Sequence, residues 1–167
     1  MIRKKKKYSK PRKLYELGRI KEENALKEKY ALKNKREIWK TLAKVNYFRG
    51  RAMALAKSNQ KEQDVFLNKL KAIGLKTNTL TDVLDLKIEN LLERRLPTIV
   101  AKKTLANTTR HARQMVVHKK VLVKGKVINS PSYLVPVDEE KFITTKTSAV
   151  KQIKENKGEI PMIEVAE

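Results

Sequence analysis

The stretch TTRHARQMVVHKK, Thr108 to Lys120, holds both histidines of the chain among four cationic side chains. Imidazoles can act as general bases or metal ligands, whereas guanidinium and ammonium groups bind polyanions. His111 and His118 are seven residues apart, which on a helix is about two turns and roughly 10 Å of rise, too far for both to reach one metal ion. Zinc needs several ligands at about 2.0–2.3 Å, and no aspartate or glutamate stands between Glu93 and Asp138 to join or orient either ring. Only a residue distant in sequence could bring the carboxylate that orients a general base.

Other chemistries find less support. Asp82 and Asp85 are expected at a helix start, where they oppose the positive end of the macrodipole, and Glu89 with Glu93 forms an ordinary i, i+4 surface series. The five glycines are dispersed, without the spacing of a Walker loop or a dinucleotide fingerprint. The chain has no cysteine, which removes disulfides, thiolate chemistry and cysteine-ligated zinc. No catalytic residue, metal or cofactor is therefore expected. No apolar run approaches the roughly 18 residues of a membrane span, and the N-terminus lacks a secretory core, so the sequence reads as soluble and intracellular, with no membrane partner.

Charge points elsewhere. Forty lysines and arginines against 18 acids give +22, and ten cations lie between Arg94 and Lys126 without one acid among them. A solvated surface usually mixes signs, and a field of one sign attracts polyanions. As a helix, the opening stretch turns Ala112, Met115 and Val116 inward and Arg110, Arg113 and Lys120 outward. Thr108 and Thr109 stand at its N-terminal N–H groups, where the dipole favours a phosphate. Lys124 and Lys126 bracket a turn at Gly125 and extend the surface, with Lys102, Lys103, His118 and Lys119 nearby. Phosphate contacts and shape readout suit structured RNA, whose A-form major groove is too narrow for reading base edges.

The elements that must position these groups follow from period and punctuation. RKKKKYSKPRK has too few apolar residues to fold alone, and reads as an arm, disordered when free, that orders on phosphates through Arg3, Lys4, Lys5, Lys6, Lys7, Lys10, Arg12 and Lys13, the alternative being a solubilising tail or localisation signal. Helical spacing runs from Arg19 to Lys57, with a buried stripe of Ile38, Leu42, Val45, Phe48, Ala52 and Leu55 and with Trp39 packed beside it rather than stacked on a base. A second helix buries Phe66, Leu70 and Ile73 and ends at a left-handed Gly74. A third run follows Thr81 through Leu84, Ile88, Leu91 and Leu92 to Pro97, which suits a first helical turn. PTIVAKKTLA gives a short helix, Thr108 caps the next, VLVKGKVIN forms a hairpin, and YLVPV and KFITT add strands, Pro136 fitting an edge. The expectation is an α+β fold. It comprises a basic arm (1–18), a helical lobe (19–93), a helix-helix-hairpin RNA-binding domain with a short antiparallel sheet (94–157) and a tail (158–167).

LERRLPTIVAKKTLANTTRHARQMVVHKKVLVKGKVINSPSYLV, Leu92 to Val135, resembles the RNA-binding domain of the S-four family of small-subunit ribosomal proteins: the ERRL start, the A-R-Q helix, the V-x-V-x-G hairpin and PSYLV occur in the family's order. YALKNKREIW and LTDVLDLKIENLLERRL resemble its archaeal-type branch, which extends the likeness over most of residues 25–136. The resemblance implies a noncatalytic, cytoplasmic, ribosome-bound protein that binds small-subunit ribosomal RNA early, nucleates assembly of the body, influences translational accuracy, touches the fifth small-subunit protein, and borders the path by which messenger RNA enters. It implies no homo-oligomer and assigns RNA contact to Arg94, Arg95, Arg110, Arg113, His118 and Gly125. Glycine often stands where this chain has Thr104 and Lys119, and asparagine where it has Lys124. The alternatives are a module associated with an RNA-modifying enzyme or a tRNA synthetase, for whose catalytic domains the chain has neither room nor motifs, and an arm that binds anionic membranes.

Overall fold

The long apolar stripe builds the helix around which the first half of the molecule packs. The computed structural model describes Lys6 and residues 8–146. In it α1 (Leu17–Lys29), α2 (Lys35–Leu55), α3 (Gln60–Ala72), α4 (Leu80–Leu84) and α5 (Ile88–Glu93) form a helical lobe. The elements α6 (Leu96–Lys102), α7 (Thr109–Val117), β1 (Val121–Val123), β2 (Lys126–Val127), α8 (Val137–Glu140) and β3 (Ile143–Thr145) form a smaller α+β lobe. Of the stripe on α2, Ile38, Val45, Ala52 and Leu55 are buried and Phe48 packs against the core. Leu42, at 40% exposure, is the one large member left at the rim.

Two cores flank α2. Val45, Ala52, Leu67, Leu70, Val83 and Leu91 join α2 to α3, α4 and α5, while Tyr30, Leu32, Ile38 and Leu92 join it to the end of α1. A third core, centred on Leu96, Val100, Ala112, Val116, Val121 and Val135, belongs to the second lobe.

The expected continuous helix from Arg19 to Lys57 is broken at Tyr30–Asn34. Ala31 takes a left-handed φ of +49°, the Leu32 amide donates to the Lys27 carbonyl and the Ala31 amide to that of Glu28. That pair of bonds is a Schellman cap, and it buries Tyr30, Ala31 and Leu32 at the corner. The same cap recurs at Gly74, Thr104 and Lys119, with φ of +86°, +56° and +58°. Only one of the four corners has the residue that takes this conformation without penalty; a side chain there costs roughly 1–2 kcal/mol. Thr104 and Lys119 thus keep the left-handed turn that glycine makes readily.

The run after Thr81 is likewise two helices. Thr79, not Thr81, is the N-cap of α4, in a capping box with Asp82, and Asp85 is the C-cap rather than a first-turn residue. The sheet has the order β2-β1-β3, all antiparallel, with Leu122 opposite Val127 and Thr144. Lys124 and Gly125 both have positive φ, +48° and +75°, as a two-residue type I′ hairpin turn requires. YLVPV adds only a bridge between Leu134 and Arg95. Pro136 then caps α8 instead of edging a sheet, since the acidic run after it favours a helix first turn.

The arm departs from expectation where it is described. Tyr8 lies 6.3 Å from the Trp39 ring and Lys40 reaches over Tyr8 at 5.9 Å, while Arg19 donates to the carbonyls of Lys13 and Leu14. One aromatic contact, a cation over a ring and two hydrogen bonds hold residues 8–14 on α1 and α2. Arg3, Lys4, Lys5, Lys7 and the tail from Thr147 lie outside the described residues. Trp39 donates to Glu23, itself buried between Arg19 and Lys35. Burial pushes the Glu23 carboxyl up, but bonds from Trp39, Arg19 and Lys35 bring it below its ordinary 4.5.

Three outcomes follow from these local arrangements. Thr104→Gly relieves a left-handed threonine and should raise stability by about 1 kcal/mol in urea unfolding. Gly74→Ala should lower it by about 2–4 kcal/mol, because its Cβ would stand 2.6 Å from Arg94 Nε and disturb a charged hydrogen bond. For Glu23 the lowered pKa means that its contribution is fully present above the ordinary carboxylate range and is lost as pH falls through the lowered value. Melting temperature against pH should therefore fall less steeply below about 4.5 in Glu23→Gln than in the parent chain.

Candidate nucleic-acid interface

Helix α7 is placed by its cap and its apolar side. The Thr108 hydroxyl accepts the His111 amide at 3.1 Å, and Ala112 and Val116 are buried against α6 and the sheet, with Met115 half-buried. Thr108 is therefore occupied in capping the helix, and the Thr109 hydroxyl reaches the Lys29 carbonyl at 3.4 Å.

The cations of residues 94–126 divide into two groups. Arg95 is 5% exposed: Nε donates to the Pro131 carbonyl at 3.1 Å and one terminal nitrogen bonds Glu37 at 2.6 Å. Arg113 bends back from α7 to the same Glu37, at 2.8 and 3.2 Å, and to the Ala31 carbonyl. Burial pushes the Glu37 carboxyl up, while bonds and charge from Arg113 and Arg95 outweigh this and hold it below the usual range. Arg94 fills the space over Gly74, donating to the carbonyls of Ile73 and Val135 and pairing with Glu140 at 2.8 Å. Lys103 donates to the Glu140 carbonyl, and Lys102 pairs with Glu93 at 3.0 Å on the surface. Lys124 sits 3.6 Å from Glu139, which also accepts the Tyr133 hydroxyl at 2.5 Å. That bond, with burial and the carboxylate charge, pushes Tyr133 up to about 12.

These positions divide the expected contact set by its surroundings. Arg94 and Arg95, and in large part Arg113, hold the lobes together, because carboxylates absent from the local sequence arrive from α2 and α8. A guanidinium already enclosed by a carboxylate and carbonyls presents little to a phosphate. Arg110, Lys119, Lys120 and Lys126 remain exposed, and none of them has a carboxylate partner among the described residues. They span α7 and the hairpin, with His118 and Gly125 exposed between them. His111 and His118 border one shallow depression with Gln114, Met115 and Lys120. Among the described residues no three histidines or carboxylates gather to hold a metal ion.

Three further cations escaped the sequence reading. Arg36, Lys40 and Lys44 recur every four residues along α2 and are exposed, a spacing that places them on one face. They line a concavity between α2 and the segment before Val135, together with Arg95, Ser132 and Leu134. Across the Glu37 contact, Arg110 and Arg113 line a second concavity with Lys27. Lys6, Lys10, Arg12 and Lys13 of the arm are exposed. The spacing on α2 was available as a signal, but it lay inside a stretch with mixed charge.

A family model described as S4 domain matches residues 94–141, the α+β lobe that carries α7 and the hairpin. The chain is 44% identical over 133 residues to the small ribosomal subunit protein uS4 of Methanococcus aeolicus, covering 75% of each protein. It is 42% identical over 144 residues to the uS4 protein of Ignicoccus hospitalis, covering 83% of this chain and 87% of that one. The uS4 protein of Hyperthermus butylicus is 41% identical over 144 residues, with 83% and 82% covered. Likeness of this extent takes in both lobes, the α2 contact and the hairpin alike, and the chain belongs to the family of small ribosomal subunit protein uS4.

Proposed function

We propose that the protein is a structural, noncatalytic constituent of the small ribosomal subunit that binds small-subunit ribosomal RNA through α7 and the β1–β2 hairpin. The observation that carries this reading is the row of exposed cations Arg110, Lys119, Lys120 and Lys126, without a carboxylate partner among the described residues, on the lobe matched as an S4 domain. His118, Gly125, Lys124 and the arm's Lys10, Arg12 and Lys13 adjoin the charged surface, and Arg36, Lys40 and Lys44 extend it onto α2. Early binding of RNA, nucleation of the subunit body, an influence on accuracy, contact with the fifth small-subunit protein and a place beside incoming messenger RNA belong to the same proposal, as does a ribosome-bound, cytoplasmic location. Domain boundaries near 18, 93 and 157 are part of it too.

Phosphate attraction supplies much of the affinity in such a surface, so log affinity for a small-subunit RNA fragment should fall linearly with log salt, by roughly 0.7–0.9 per phosphate contact. Arg110→Ala with Lys120→Ala should weaken binding and make the slope shallower by about 1.4–1.8, while the helical circular-dichroism signal stays unchanged. In gradients of cell extract the protein should travel with small subunits and leave them after ribonuclease treatment. Migration free of RNA, or binding indifferent to salt, contradicts the proposal, and intrinsic uridine modification or aminoacylation would favour an enzyme-associated module instead.

A further inference from the structure

We propose that Glu37 is the positioning residue of the RNA face: it contacts no RNA, but sets the spacing between the cations of α2 and those of α7. The inference rests on the RNA-binding reading above. Glu37 lies on α2 and joins Arg95, at the start of α6, to Arg113, in the middle of α7, with both carboxylate oxygens engaged. The three side chains are 17%, 6% and 20% exposed. Lys40 stands three residues after Glu37 on α2, and Arg110 three residues before Arg113 on α7. Each is thus about one turn from the contact on its own helix. The two concavities on this face each take part of their lining from the triad, Glu37 and Arg95 in one and Arg113 in the other.

An acid in the middle of a cationic face ought to weaken RNA binding if charge were its only effect. Placed here it acts differently. Arg95 and Arg113 are committed to it and to backbone carbonyls, so its removal leaves two enclosed guanidiniums of the second lobe that repel each other and takes away the acid that ties both to α2 of the helical lobe. The lobes then sample several arrangements, of which one matches the RNA. If the matching arrangement falls to about a tenth of the population, affinity falls about tenfold, with the number of phosphate contacts unchanged.

The test uses the full chain, which has no native cysteine, so a spin-label pair introduced at Asn68 on α3 and Ser130 beyond the hairpin, both exposed, reports the distance between lobes without RNA. Glu37→Gln should broaden that distance distribution and weaken binding of a small-subunit RNA fragment about tenfold, with helicity and salt slope unchanged. Glu37→Asp, which keeps the charge at shorter reach, should give intermediate breadth and affinity and carries the test if the glutamine variant does not fold. A distribution that stays narrow overturns the proposal, whatever the affinity does. So does tighter binding with a steeper slope, which would make Glu37 a simple repulsive charge, and so does broadening without loss of affinity. Failure of the parent chain to bind RNA would instead overturn the functional reading, which the RNA-free distance measurement keeps separate.

Discussion

A guanidinium taken out of water needs an anion or a set of carbonyls around it, and the chain from Arg94 to Val137 has no carboxylate of its own. The architecture answers this by bringing acids in from both sides. Glu37 comes from α2 to Arg95 and Arg113, and Glu140 from α8 to Arg94. Because each donor of charge lies on a different element from its acceptor, satisfying the arginines also fixes how the elements meet. The core of the second lobe, from Leu96 through Val116 to Val135, packs by itself; what it cannot do by itself is neutralise Arg95.

Such contacts are poor evidence for high stability. Replacing a buried ionic triad with apolar side chains of similar volume is often neutral or stabilising, whereas removing one member is costly. Their effect here is on arrangement. Apolar packing between the lobes includes Leu134, seated against the helical core, and apolar contact tolerates sliding. Directed bonds from two planar guanidiniums to one carboxylate do not.

Sequence patterning disclosed much of this and concealed one part for a definite reason. Helical periodicity located α2, the hairpin followed from Val121, Val123 and a Lys-Gly turn, and Thr108 and Gly74 were legible as caps because their chemistry is local. The breaks at Ala31 and between α4 and α5 were not legible. Ala31 and Thr104 adopt a conformation their side chains disfavour, and the burial of Leu32 and the half-burial of Leu105 after them offset that penalty. The candidate site was half visible: Arg110, Lys119, Lys120 and Lys126 keep the exposed place that the linear pattern suggested, but a gap in acids along the sequence is not a gap in space. Glu37 lies 58 residues from Arg95 and 76 from Arg113, beyond any local pattern.

The division of cations also explains how so basic a chain folds before its polyanion arrives. Like charges on a compact surface repel, and +22 spread evenly would oppose folding. In the described residues the cations nearest the lobe contact are paired with Glu37, Glu140 and Glu93, while the unpaired ones sit outward on α7, the hairpin and α2, where water screens them. Repulsion is thus least where the chain must close and greatest where RNA would relieve it. On that arrangement a phosphate backbone meets cations already held at fixed spacing, so binding need not supply the ordering of the lobes as well as the contacts.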